Sequence, residues 1–243
     1  LMLRLPAAIA GTLTIPVFAL AAGRFFTAPT VRLATFLLAI NPLHIWYSQE
    51  GRGYAFLVLF ALAMVAVYGR MAGGRPGGRL ATVFALCAAA AVWSNIGGLF
   101  VWIALAATLL MVDRPTRGRD WLWWLLAFGL AALLVAPWLL KASGIWAIER
   151  IVPGADTGAD LRGETTFSPL AIPYTVFAFF YGYSLGPSLR ELHQPDQLAV
   201  LRAHAPVLLL SAIPVALGLL GGVFTASRRR WRPLVWIVIP LVL

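Results

Sequence analysis

Long apolar runs separated by short polar breaks set the pattern of this chain. The first run extends from about Leu5 to Phe26, and "GRFFTAPTVR" follows as a short loop. The second runs from about Leu33 to Trp46, and the third from Tyr54 to about Met71. "GGRPGGR" then makes a Gly/Pro-rich turn. Residues 80–112 are apolar for longer than one span needs, roughly 17–25 residues. "SNIGG", Ser94 to Gly98, interrupts them near the middle, so two minimal spans joined by a tight turn are expected, with one long kinked helix as the competing reading. "DRPTRGRD" closes that pair, and another span covers about Trp121 to Leu140. A polar region, Lys141 to Ala203, precedes a span from about Pro206 to Ala226, then "SRRRWR" and a short closing run. Runs such as "FLVLFALAMVAVY" do not alternate, which excludes the two-residue period of a membrane β-barrel.

The pattern predicts an all-α, polytopic transmembrane bundle of about seven spans plus a truncated one. Residues 1–243 form a single membrane region, and 141–203 form a large outer loop with room for interfacial helices. Composition agrees: 61% of residues are hydrophobic and 12% are charged, against about 25% charged in soluble domains. Residue 1 is Leu and the closing "PLVWIVIPLVL" is short for a span, so the chain reads as an internal piece of a larger membrane protein. No secretory signal peptide is visible.

Charge orients the bundle. The formal net charge is +10, but the basic residues lie between apolar runs, which points to membrane topology and away from nucleic acid. When successive loops alternate sides, one side receives Arg24, Arg32, Arg70, Arg75, Arg79, Arg114, Arg117, Arg119, Arg228, Arg229, Arg230 and Arg232. These are twelve of the nineteen basic residues. An Arg excess in short loops marks the cytoplasmic face. The opposite, outer side holds seven of the nine acidic residues: Glu50, Glu149, Asp156, Asp160, Glu164, Glu191 and Asp196.

Candidate chemistry therefore lies outside. "NPLHIWYSQEGRGY", Asn41 to Tyr54, gathers Glu50, Arg52 and Tyr54 at a span end. One reading makes them interfacial anchors in an aromatic belt with Trp46 and Tyr47. The other makes them a site. Arg52 and Tyr54 can donate to a phosphate, Arg52 through two parallel bonds. Glu50 can orient Arg52 or accept a proton, and Gly51 and Gly53 permit close backbone approach. Arg4, on the same outer side, is read as a control position. "GYSLGPSLRELH", Gly182 to His193, clusters Arg190, Glu191 and His193 as weaker candidates, open also to reading as a solvated turn. Asn95 at the "SNIGG" turn is another weak candidate, since such side chains usually satisfy backbone groups. Lys141 reads as a snorkelling span end, and the single Cys87 as inert packing. No Cys/His metal pattern, nucleotide loop or repeat is present.

"LRLPAAIAGTLTIPVFALAAGRFF" followed by "NPLHIWYSQEGRGYAFLVLFALAMV" resembles the middle of bacterial family 39-type glycosyltransferases. These are polytopic C-type-fold enzymes related to protein O-mannosyltransferases and lipid A aminoarabinose transferases. The likeness covers most of the chain and is strongest over Asn41–Tyr54. "PYTVFAFFYGYSLGPSLRELH" is similar to a periplasmic segment of many members. The resemblance implies a polyprenyl-phosphate sugar donor and a lipid, glycan or protein acceptor. It also implies an outer-face reaction in the cytoplasmic membrane, among membrane lipids. It places the catalytic acid in an outer loop upstream of Leu1, so the catalytic residue is unknown within this sequence. No cofactor is identifiable here, and whether a divalent metal takes part rests with that upstream loop. Glu50, Arg52 and Tyr54 match the second-span motif beside the outer cavity. Gly51 and Gly53 depart from the family pattern of a small and a larger residue, which puts local helicity in question. A transporter and a non-catalytic membrane scaffold are the competing function classes. Transporter sites lie near the midplane, often within repeats, whereas the charges here collect at span ends.

Overall fold

A computed structural model describes residues 4–145 apart from residue 75, then 177–178, 181, 186–187, 191, 197–210, 212–213 and 216. Every element among them is a helix: α1 (Leu5–Ala22), α2 (Ala28–Ala39), α3 (Pro42–Gln49), α4 (Tyr54–Gly73), α5 (Gly78–Ser94), α6 (Gly97–Met111), α7 (Gly118–Ile145) and α8 (Gln197–Ala203). Three of these, α1, α4 and the Gly118–Lys141 part of α7, are long and apolar enough to cross a membrane.

The packing inverts the pattern of a water-soluble domain. Small residues recur on the buried faces beside the larger core side chains: Ala7 and Ala10 of α1, Ala81, Ala85 and Ala88 of α5, Ala127 and Ala131 of α7. Residues spaced this way let helix backbones approach closely, as helices do in lipid. Thirty large hydrophobic side chains among the described residues are exposed, Leu133 at 69% and Leu140 at 75%. Leaving them in water would forgo on the order of 20–40 kcal/mol of burial, more than the roughly 5–15 kcal/mol of net stability a domain has. An apolar medium must cover them, and the lengths of the three long helices match a bilayer.

The hydroxyls of the two fully buried threonines are satisfied within their own helices, whereas Thr35 Oγ1 on α2 is buried without a hydrogen-bond partner. Thr14 donates to the Ala10 carbonyl and Thr108 to the Ala104 carbonyl, each at 2.8 Å. That i−4 bond is the partner available where water is absent. The main core joins α4, α5, α6 and α7 through Met64, Tyr68, Phe84, Leu105, Trp124 and Ala131. Phe128 caps it, its ring centroid 5.0 Å from that of Phe84.

Close contacts fix the helix directions. Ala7 and Ala10 pack with Ala55 at the starts of α1 and α4, and Gly69 lies against Arg24 and Phe25 at their ends. So α1 and α4 run parallel, and α2 with α3 must carry the chain back between them. Gly53 abuts the Ser94 carbonyl, which sets the start of α4 beside the end of α5. Tyr68 donates to Asp113 Oδ2 at 3.0 Å, joining the C-terminal half of α4 to the residues just after α6. Gly78 meets Trp123, and Trp93 Nε1 donates to the Leu134 carbonyl at 3.1 Å, so α5 and α7 are parallel. The loops bearing Arg24, Arg114 and Arg117 and the last turn of α4 with Arg70 thus share one end of the bundle. Arg4, Glu50, Arg52 and Asn95 share the other.

One sequence expectation holds and two change in detail. Residues 80–112 form two helices, α5 and α6, turning at Asn95–Ile96, and the single kinked helix is excluded. The expected Leu33–Trp46 span is instead broken into α2 and α3 at Ile40–Asn41. Asn41 Oδ1 accepts from the His44 amide at 2.9 Å, and Pro42 occupies the first turn. A capped new helix begins there because Pro42 cannot supply an amide to the preceding helix. At 1.5 Å per residue, the 12 residues of α2 and 8 of α3 reach about 18 and 12 Å, so neither alone equals a 30 Å hydrocarbon core. Lys141, expected to open the long loop, lies within α7.

Candidate functional site

The site begins with α3. Its first turn is set by Asn41 and Pro42, and its position by α1. Gly11 is buried, and a β-carbon there would come within 2.5 Å of Ser48 Cβ. His44 Nε2 lies 3.2 Å from the Gly11 carbonyl. Without a side chain at Gly11, α3 seats directly on the α1 backbone. That seat aims the last turn of α3, with Trp46 and Gln49, toward the start of α1. Glu50 then leaves the helix in an extended conformation, φ −79° and ψ 136°.

The second support is Gly53. A β-carbon on it would overlap the Ser94 carbonyl oxygen and lie 3.0 Å from the carbonyl carbon. Its φ of −68° is ordinary, so glycine is required for close approach and not for an unusual backbone. The connection Glu50–Gly53 is thereby pinned between α3 and the α5–α6 turn. That turn is itself tight: Asn95 Oδ1 accepts from the Gly97 amide at 2.9 Å, and a β-carbon on Gly98 would fall 2.6 Å from the Ala91 carbonyl carbon.

A cleft of about 470 Å³ results, lined by Arg4, Trp46, Gln49, Glu50, Gly51 and Arg52. Arg4 and Arg52 are exposed and Glu50 is half-buried. Glu50 Oε2 is buried without a hydrogen-bond partner. The cleft therefore offers two cations able to hold an anion through charge-assisted bonds and an indole 52% exposed.

Of the residues singled out from sequence, Glu50 and Arg52 come together here. Tyr54 does not line the cleft, and its ring packs on Tyr47 with centroids 4.7 Å apart. Asn95 serves the interhelical turn. Arg190 and His193 lie outside the described residues, and Glu191 is helical and half-buried. Nearby, Gly186 has φ +88° and sits against the Phe177 ring, the left-handed region that favours glycine. Sequence reasoning missed Arg4. It treated Arg4 as a control, yet Arg4 caps α1 and lines the same cleft as Arg52. The signal was available in the alternation of spans, which returns the chain to the side where it began. Among the described residues, no three His, Cys, Asp or Glu side chains are grouped to hold a metal ion.

A second cavity, about 370 Å³, is almost wholly apolar and lies between α1, α2 and α4, lined in part by Phe18, Phe25, Val31, Leu62 and Val65. It lies toward the arginine-rich end. No protein-family model matches this chain, and neither does a curated protein or a solved structure.

Proposed function

We propose that this chain belongs to a membrane glycosyltransferase of the family 39 type. It would move a sugar from a polyprenyl-phosphate donor to an acceptor on the outer face of the cytoplasmic membrane. The arginine-rich end would be cytoplasmic and the Glu50 end outer, as the Arg excess in short loops favours. The observation that carries the reading is the union of Arg4, Glu50 and Arg52 in one cleft. It supports a donor site because the stretch that resembles the family's second-span motif supplies most of its walls.

In the reaction, an acceptor hydroxyl oxygen bonds to the anomeric carbon of the sugar. The bond from that carbon to the phosphate oxygen breaks, and polyprenyl phosphate leaves with the electron pair. The acceptor's proton passes to a general base, a role given to no residue here. Negative charge develops on the departing phosphate, and preorganised cations beside it lower the barrier. Arg52 and Arg4 would supply them. A site at the bundle end suits the chemistry, since a lipid donor arrives from the bilayer and a polar acceptor from water.

The test is sugar transfer by the intact protein in proteoliposomes, using radiolabelled polyprenyl-phosphate sugars and acceptors from the native membrane. Transfer that depends on the protein, with release of polyprenyl phosphate, is expected. Neither transfer nor release would remove the reading. One observation favours a transporter instead: the break between α2 and α3, since interrupted helices build transporter sites. Uptake of solute into sealed vesicles without sugar transfer would establish that alternative.

A further inference from the structure

The apolar cavity between α1, α2 and α4 has no part in the transfer chemistry. Thr30 brings the one hydroxyl to its lining, and that oxygen lies 2.9 Å from the Thr27 hydroxyl, so it is already engaged. The other lining side chains are hydrocarbon. A polar ligand would lose its hydration there without a partner, whereas a hydrocarbon chain would lose nothing. Phe26 and Thr30 are exposed as well as lining, so the cavity opens at the surface beside the α1–α2 connection. Leu33, Phe36 and Leu37 continue from that opening along α2 and are exposed too, an apolar flank suited to lipid. A packed helix about 10 Å across would place less than one turn in about 370 Å³. A flexible chain fits that space better.

Charge marks one end of the cavity. Leu62 and Val65 line it from α4. Gly69 continues their stripe one turn further on. A β-carbon there would lie 2.9 Å from the Phe25 ring and 3.1 Å from Arg24 Cβ. Phe25 therefore closes the cavity, and the exposed Arg24 stands just past it. Arg32 and Arg70, both exposed, flank the same end from α2 and α4. Among the described residues, none of these three guanidinium groups is paired with a carboxylate.

We propose that this cavity binds one acyl chain of an anionic glycerophospholipid, with the lipid phosphate held by Arg24. Hydrocarbon walls followed by unpaired cations match such a lipid's chain and head in order. A neutral lipid would gain the chain contacts alone. Basic pockets between membrane helices on the cytoplasmic side take anionic heads in this way, which agrees with the orientation set by the arginine excess. The site rests on the membrane reading and that orientation, and it does not depend on sugar transfer.

Native mass spectrometry of the intact protein tests this, with release from nanodiscs of equimolar phosphatidylglycerol and phosphatidylcholine carrying identical chains. Wild type should retain phosphatidylglycerol about tenfold over phosphatidylcholine. Arg24→Ala should cut that preference to about twofold, and Arg24→Lys should keep most of it. Ala34→Phe, filling the cavity from α2, should remove the retained lipid. Ala34→Leu should give a partial loss, which separates filling from misfolding. Arg119→Ala, at the same end of the bundle and outside the cavity lining, should match wild type. Equal retention of the two lipids would overturn the proposal. So would a preference that survives Ala34→Phe, or one lost equally in Arg119→Ala. Displacement of phosphatidylglycerol by polyprenyl phosphate would also overturn it, giving the cavity to the donor's tail.

Discussion

Gly11→Ala should push α3 off its seat, and Ser48→Gly should let it return. In the wild type the added β-carbon would lie 2.5 Å from Ser48 Cβ and 3.4 Å from Ser48 Cα. The Ser48 hydroxyl can rotate away, although it would give up its 2.6 Å bond to the His44 carbonyl. Its Cβ cannot rotate, because the helix backbone fixes it. The two helices must therefore separate by about 1 Å, and overpacking of this kind typically costs 1–3 kcal/mol. Helix propensity works the other way, by about 1 kcal/mol for Gly to Ala. The single variant alone is thus ambiguous, and a double-mutant cycle removes the ambiguity. Propensity appears in each single variant and again in the double, so it cancels, and the coupling energy isolates the clash. In Gly11→Ala/Ser48→Gly only the 3.4 Å approach remains, an ordinary contact. We expect a favourable coupling of about 1–3 kcal/mol. Cys87 gives the assay, because it is the chain's one thiol and is half-buried on α5. A thiol-reactive fluorophore reports its exposure as the bundle is titrated with denaturing detergent. Additivity within about 0.5 kcal/mol would refute the backbone seat. Since α3 carries Trp46, Gln49 and Glu50 into the cleft, the same cycle should appear in sugar transfer, where 1 Å of misplacement can cost about a hundredfold.

Further outcomes follow from other parts of the bundle. Arg52→Ala should lower transfer roughly 10- to 100-fold, with Arg52→Lys intermediate because it keeps charge but loses the planar fork. Arg119→Ala, at the opposite end, should stay near wild type, and equal loss there would sink the phosphate role. Gly53→Ala should destabilise by about 1–3 kcal/mol and impair transfer, because backbone at Ser94 cannot yield as a side chain can; an unchanged denaturation midpoint and rate would contradict this. Tyr68→Phe should cost about 0.5–1.5 kcal/mol through the lost Asp113 bond while leaving donor affinity unaltered. In a Cys87-free variant, a cysteine at position 117 should resist impermeant labelling of intact cells and one at position 50 should accept it; the reverse would invert the proposed topology.

What could be read from sequence followed from span length and local breakers. Ser94, Asn95 and the paired glycines correctly divided α5 from α6, because an interruption of that kind needs no knowledge of neighbours. The Asn41–Pro42 break was equally local, a capping residue followed by a first-turn proline. Run length alone does not register it, because the residues on both sides of the break are apolar. Gly53 was singled out for close approach, and the Ser94 backbone supplies the partner that sequence could not name. Arg4 and Arg52 are far apart in the chain, and their meeting depends on α1 and α4 running parallel with α3 lodged beside them. Tyr54 looked equivalent to Arg52 by spacing. The contact with Tyr47 draws it out of the cleft lining, a choice made by side-chain packing that no linear motif records. The buried, donorless oxygen of Glu50 was likewise beyond the sequence, since burial is set by tertiary packing.

The central claim, that the Arg4–Glu50–Arg52 cleft holds the donor's head, is tested most directly by a cryo-EM map of the intact protein with a non-hydrolysable polyprenyl-phosphate sugar analogue. The account predicts phosphate density within hydrogen-bonding distance of both arginines. A phosphate bound elsewhere, such as at the arginine-rich end, with the cleft empty, would contradict it.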